Sequence, residues 1–116
     1  MGTFVISKRL SDEYKFEFVS RKGKPIFTSS NFELRFECEE AIEQFKAAIE
    51  EYAFLRFKTA KGKCFFKVMK SDIVFAVSRK YSTELMMQKG VDEIVKYASR
   101  AEILDFSSGD SIFSEV

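Results

Sequence analysis

Slid against itself by 49 positions, the sequence meets its own pattern. Ser29-Ser30-Asn31-Phe32 falls on Ser78-Arg79-Lys80-Tyr81, and without a gap Ala41-Ile42-Glu43-Gln44-Phe45 falls on Gly90-Val91-Asp92-Glu93-Ile94. A shift of 50 lays Phe54-Leu55-Arg56-Phe57-Lys58 on the opening stretch, Phe66 on Phe16 and Val68 on Phe18. A unit of about fifty residues has too little interior to bury its own apolar side, so two such units are expected to pack together. The pattern predicts an α+β fold made by tandem duplication of a three-strand-plus-helix repeat. An antiparallel sheet with helices packed on it and pseudo-two-fold symmetry follows. Copy one is expected over 1-52, copy two over 53-106 and a polar tail over 107-116, with both copies in one compact unit.

Periodicity supplies the elements. Tyr14-Lys15-Phe16-Glu17-Phe18 alternates rings with charges, the mark of a half-buried strand. Phe4 to Arg9 alternates more weakly. Arg21-Lys22-Gly23-Lys24-Pro25 is a turn, and Pro25 points to an edge position for the strand Ile26-Phe27-Thr28. Cys38, Ala41, Ile42, Phe45, Ala48, Ile49 and Tyr52 then fall at three- and four-residue steps, one stripe of a helix over about Leu34 to Glu51. In the second copy, Ile73 to Val77 is a continuous apolar run, which predicts a strand buried on both faces. A second helix is expected over about Ser82 to Ser99, with Ser82 or Thr83 as N-cap. Ala41 and Gly90 occupy equivalent, small positions, where helix and sheet should approach most closely. Ile103 to Phe106 reads as a last extended segment and Ser107-Ser108-Gly109-Asp110 as loose.

Residue usage narrows the chemistry. There is no histidine among the 116 residues, which excludes a Ser-His-Asp triad, a Cys-His dyad and a His-ligated zinc. Cys38 and Cys64 are too few for a four-thiolate site and read as free, buried thiols. Glu39-Glu40 and Asp92-Glu93 are sequence neighbours on helices and do not converge. Lys22-Gly23-Lys24 and Lys61-Gly62-Lys63 are too short for a phosphate loop. The expectation is a non-enzyme without cofactor or metal. No apolar run approaches membrane-spanning length, and the start lacks an apolar signal region, so a cytoplasmic protein is expected.

The tandem strand-strand-strand-helix copies resemble the YegP-like family of small uncharacterised bacterial proteins. Phe4-Val5-Ile6-Ser7-Lys8 is similar to that family's opening, Tyr14 to Phe18 to its first aromatic strand, and Lys58-Thr59-Ala60 with Gly62-Lys63 to its start of copy two. Ser29 to Phe32 and Ser78 to Tyr81 resemble its serine-x-x-aromatic step into each helix. The family's Asn-Gly turn is here Lys22-Gly23 in copy one only. Its Asn-Gly-Ile motif is Glu40-Ala41-Ile42 and Lys89-Gly90-Val91. The resemblance implies a duplicated fold and carries over no catalytic residue.

Charge is sorted by element. Residues 1–32 carry +3 and residues 54–80 carry +7, while 33–53 carry −5 and 81–116 carry −4. With a whole-chain charge of +1, attraction to an anion has to be local. The plain explanation is solubilising charge. The functional alternative is a basic sheet surface that contacts anions or nucleic acid through Arg21, Lys22, Lys24, Lys58, Lys61, Lys63, Lys67, Lys70, Arg79 and Lys80, with bases stacking on an exposed Phe or Tyr. The Pur-type repeat, strands followed by a helix, is an analogy of topology for that use. A lowered Cys64 thiol beside Lys63 is outweighed by an inward-facing position. A protein partner or self-association is the third class: Phe36 lies off the helix stripe, and Ile112-Phe113 could add to an edge strand. Function is expected to be that of a small binding or protein-interaction module, with nucleic-acid binding as the alternative.

Overall fold

A computed structural model describes residues 2–107. Seven strands form one sheet: β1 (Thr3–Lys8), β2 (Tyr14–Val19), β3 (Pro25–Ser29), β4 (Ala53–Lys58), β5 (Cys64–Lys70), β6 (Ile73–Ser78) and β7 (Glu102–Asp105). Two helices, α1 (Arg35–Ala47) and α2 (Glu84–Tyr97), follow β3 and β6. The strand order is β4-β5-β6-β3-β2-β1-β7. All neighbours run antiparallel except β7, which lies parallel to β1. The sheet is therefore continuous across the middle, where Thr28 pairs with Val77.

The alternation of β2 sets the inner face. Phe16 and Phe18 point inward and stand opposite Ile6 and Phe4, and all four are fully buried. Both helices cover this face. Phe45 of α1 meets Phe4 and Phe27 edge-on at 6.2 and 6.0 Å, and α2 brings Met87, Val91 and Ile94 into the same cluster. Rings at these separations and angles attract beyond their area alone.

Two bulges tie the halves together. The register slips between Phe18 and Val19, giving β3 the extra residue Ile26, and between Val68 and Met69, giving β6 the extra residue Phe75. Such an insertion turns an additional side chain to one face. Ile26 comes to lie beside Gly90 of α2, while Phe75 stacks on Phe45 of α1 at 5.0 Å. Thus a strand from each half packs against the helix of the other.

The entry to each helix is fastened in the same manner. Ser29 accepts the Phe16 N–H at 2.9 Å and donates to the Ser30 carbonyl at 2.7 Å. Ser78 accepts the Phe66 N–H at 2.9 Å and donates to the Arg79 carbonyl at 2.7 Å. The next aromatic forms a bridge, Phe32 to Tyr14 and Tyr81 to Cys64. Ser29 and Ser78 thus serve the chain itself, as buried hydroxyls that satisfy buried backbone groups.

Several expectations are corrected. β3 is central, flanked by β2 and β6, because Pro25 is its first residue, where a missing N–H disrupts least. β6 is also central, yet Ile73 is 72% and Val77 38% exposed, since the helices cover a single face. The helices are shorter than their apolar stripes: each gives way to a 3-10 turn, Ile49–Glu51 and Ala98–Arg100. Thr83 is the N-cap of α2 and accepts the Met86 N–H at 3.1 Å. Phe36 is exposed. Ile112, Phe113 and the rest of the tail after Ser107 lie outside the described residues.

Candidate functional site

Strand pairing decides where the basic residues go. Arg21, Lys22 and Lys24 sit in the β2–β3 turn. Arg79, whose N–H donates to the Ile26 carbonyl at 3.0 Å, and Lys80 follow β6 at the same end of the sheet. Lys58, opposite Cys64, leads into the β4–β5 turn with Lys61 and Lys63, beside Tyr81. Eight of the ten predicted residues are thereby brought to one end of the sheet, not spread over its face. Lys67 stands apart on the open face, its ammonium 5.1 Å from the centre of the Phe57 ring. Lys70 lies at the opposite end, 3.8 Å from Glu51.

Within the basic end, Arg21, Lys22, Lys24 and Arg79 surround a pocket of about 640 Å³ between the β2–β3 turn and α2. Lys89 of α2 joins them, and Ile26, Tyr81, Met86, Gly90 and Tyr97 contribute apolar and phenolic surface. Glu93 is the one carboxylate in this lining. Five cations against one anion concentrate positive potential in a concave, partly desolvated space. The volume lies in the usual range for small-molecule sites.

Tyr81 is 8% exposed, and no protein group among the described residues hydrogen-bonds its hydroxyl. Every fully buried side-chain oxygen or nitrogen there has a partner, so the hydroxyl is open to the pocket. Burial pushes this phenol up, against the pull of Arg79 and with the help of Glu93. It is therefore a neutral hydrogen-bond donor at neutral pH. Arg79 lies over the Tyr81 ring, 5.5 Å from its centre, and both side chains line the pocket. Gly90 makes room for it: a Cβ at that position would stand 2.5 Å from the Tyr81 oxygen. The close approach expected at Gly90 is thus to the aromatic residue at the helix entry.

Sequence reasoning missed Lys89 and Glu93, because both read as ordinary solvent positions of a helix. The signal was the helical spacing of Met86, Lys89, Glu93 and Tyr97 around the small Gly90.

Two further hollows differ in character. One of about 340 Å³ between α1 and the β5–β6 turn is lined chiefly by Phe32, Ala41, Tyr52, Ile73 and Phe75, with Lys70 at its edge. The other, of about 580 Å³, lies between β4 and α2 and includes Lys58, Cys64 and Glu84. Both thiols are buried, as expected, and burial pushes Cys38 up to about 11, with Asp105 and Glu37 adding to it. Such a thiol is protonated and inert near neutral pH. Among the described residues no three metal-ligating side chains cluster, and no helix is long and apolar enough to cross a membrane.

Two solved structures share this architecture. The solution NMR structure of YegP from E. coli, a protein of unknown function, superposes with a TM-score of 0.77 at 19% identity, covering 91% of this chain and 93% of that one. The chain has the YegP-like fold. A UPF0339 protein from Shewanella oneidensis, also solved by NMR, matches with a TM-score of 0.78 at 18% identity, covering 91% of this chain and 92% of that one. No protein-family model and no curated protein matches the sequence. At these identities the likeness fixes the YegP-like fold and leaves the pocket to be argued from its own residues.

Proposed function

We propose that this YegP-like chain is a duplicated, non-enzymatic binding module whose site is the pocket between the β2–β3 turn and α2, and whose ligand is a small phosphorylated anion. The duplication is supported by the matched Ser29 and Ser78 contacts, the matched bulges at Ile26 and Phe75, and the self-paired position of Thr28 and Val77, 49 residues apart. These features imply a pseudo-two-fold axis through that pair. Charge departs from the symmetry: the hollow matching the basic pocket is lined mostly by apolar groups. One copy has specialised and its counterpart has not.

The observation that carries the ligand class is the Tyr81 hydroxyl, an unpartnered donor open to the pocket that Arg21, Lys22, Lys24, Arg79 and Lys89 line. Arginine and backbone-anchored hydroxyls suit the several acceptor oxygens of a phosphate. Ile26, Met86 and Tyr97 offer an apolar wall to the remainder of the ligand.

Titration of the full chain with inorganic phosphate, pyrophosphate and a nucleoside triphosphate, followed by amide NMR, tests this. Shifts should localise to residues 20–24, 79–81 and 86–97. Arg79→Ala should weaken binding by about ten- to a hundredfold, the worth of a charge-assisted hydrogen bond. Absence of shifts at millimolar concentrations of all three probes overturns the proposal.

A second reading, single-stranded nucleic acid, is favoured by one observation. On the open sheet face Phe57 and Phe65 stack at 5.2 Å and 19° beneath Lys67, beside Lys58, Lys61 and Lys63. A stacking platform next to cations is how non-specific single-strand binders work. An oligonucleotide whose affinity falls steeply with salt and depends on Phe57 supports it; binding that depends on Tyr81 alone favours the small ligand.

A further inference from the structure

The sheet has two edges, and the fold treats them differently. At one, β7 runs parallel to β1, setting Ile103 beside Phe4, Leu104 beside Val5 and Asp105 beside Ile6. Arg35 of α1 grips Asp105 at 2.9 Å, and Ile103 packs against the core. At the other edge β4 is bare. Leu55 is 47% and Phe57 39% exposed, and the register with β5 is unbroken from Ala53↔Met69 to Lys58↔Cys64. β4 contains no proline and no bulge, two of the devices by which edge strands avoid pairing.

Beside that edge runs the groove of about 580 Å³ between β4 and α2, with Leu85, 67% exposed, on its far wall. It corresponds to the space that β7 occupies between β1 and α1. We infer that β4 is the acceptor for an extended peptide of a partner protein, which lies parallel to β4 as β7 lies along β1. Main-chain hydrogen bonds supply the affinity in such strand addition, and alternate side chains the selectivity.

The register of β7 fixes the chemistry of the peptide. Apolar residues belong beside Phe54 and Leu55, and an acidic one beside Arg56. At the last position β1 offers Ile6, with Arg35 reaching over from the helix. In the groove the arrangement is exchanged, since the strand carries Arg56 and the helix carries Glu84, which lies 3.9 Å from Lys58. Arg56 is held only by Gln88, so a carboxylate on the incoming strand meets a guanidinium free of any ion pair among the described residues. A second copy of this chain is a poorer occupant, because its own β7 is already seated on its own β1. The inference takes its register from the proposed duplication and is independent of the anion pocket.

A capped, fluorescent peptide copying residues 101–106 is the probe, added to the full chain. Anisotropy should show saturable binding, and amide hydrogen exchange at 53–58 should slow by about tenfold or more at saturation. A peptide with Asp105→Lys should bind about tenfold more weakly, and Arg56→Glu in the protein should reverse that preference. A peptide N-methylated at the Phe106 position should bind about tenfold more weakly or not at all, because that N–H, which donates to the Ile6 carbonyl at 2.9 Å in the strand's own seat, would be lost to the edge of β4 while the protein itself is left unchanged. Three results overturn the inference: no binding at millimolar peptide, binding without protection of 53–58, or protection that grows with protein concentration in the absence of peptide, which would assign the edge to a second copy.

Discussion

At the scale of single residues, the two halves solve one packing problem with different side chains. Phe32 faces Ala41 in one hollow, and Tyr81 faces Gly90 in the other. The phenol is longer by one oxygen, and the helix gives up one methyl to admit it. Gly90→Ala should therefore be destabilising by about 1–3 kcal/mol from overpacking, less about 1 kcal/mol regained in helix propensity. Combining it with Tyr81→Phe recreates the Phe–Ala pairing and should remove the penalty. Denaturant midpoints of the four proteins in the cycle measure the coupling, and additivity of the two changes would count against the contact. The 49-residue shift sets Ala41 against Gly90, the pairing that the proposed duplication requires. The reason one is glycine was not legible there, because a shift aligns positions and says nothing of which side chain leans over a helix.

At the scale of elements, alternation and helical period place six of the seven strands and both helices, and charge sorting points to the basic end. Neighbour order is another matter. Pro25 argued for an edge, and the apolar run at Ile73 to Val77 for double coverage; both inferences took a local cue for a position in the sheet. β7 was legible as an extended segment but not as the closing strand of the far edge, since its parallel partner lies about a hundred residues away in sequence. Its attachment is open to test. Burial works against the Asp105 carboxylate, but hydrogen bonds from the Ser107 hydroxyl and N–H, and from Arg35, outweigh it and hold the group below the usual carboxylate range. The stabilisation is present in full above about pH 3.9, the ordinary value for an unfolded aspartate, and is lost as pH falls through the lower folded value. Asp105→Asn should lower the denaturant midpoint at pH 6, and the gap to the parent should close on acidification below pH 4. A gap independent of pH would mean that the carboxylate's charge plays no part.

At the scale of the whole molecule, the crossed packing of the bulges makes the halves depend on each other. Phe75, from the second half, stacks on Phe45 and meets Tyr52 at 5.0 Å, while Ile26, from the first, lies against Gly90 of α2. Removing either half strips the partner helix of one side of its contact and bares the edge at β3 or β6. Since a fragment of about fifty residues has little stability to spare, residues 1–52 and 53–116 prepared separately should lack dispersed amide spectra and cooperative melting. Mixed in equal amounts, they should regain both, because the β3–β6 pairing and the two bulge contacts need no covalent link between Tyr52 and Ala53. A fragment that melts cooperatively alone would show the halves to be independent domains, and Phe75 and Ile26 would then be surface residues that happen to touch. The intact chain should accordingly unfold in one transition by both far-UV and aromatic near-UV signals, the coincidence that a single shared core demands.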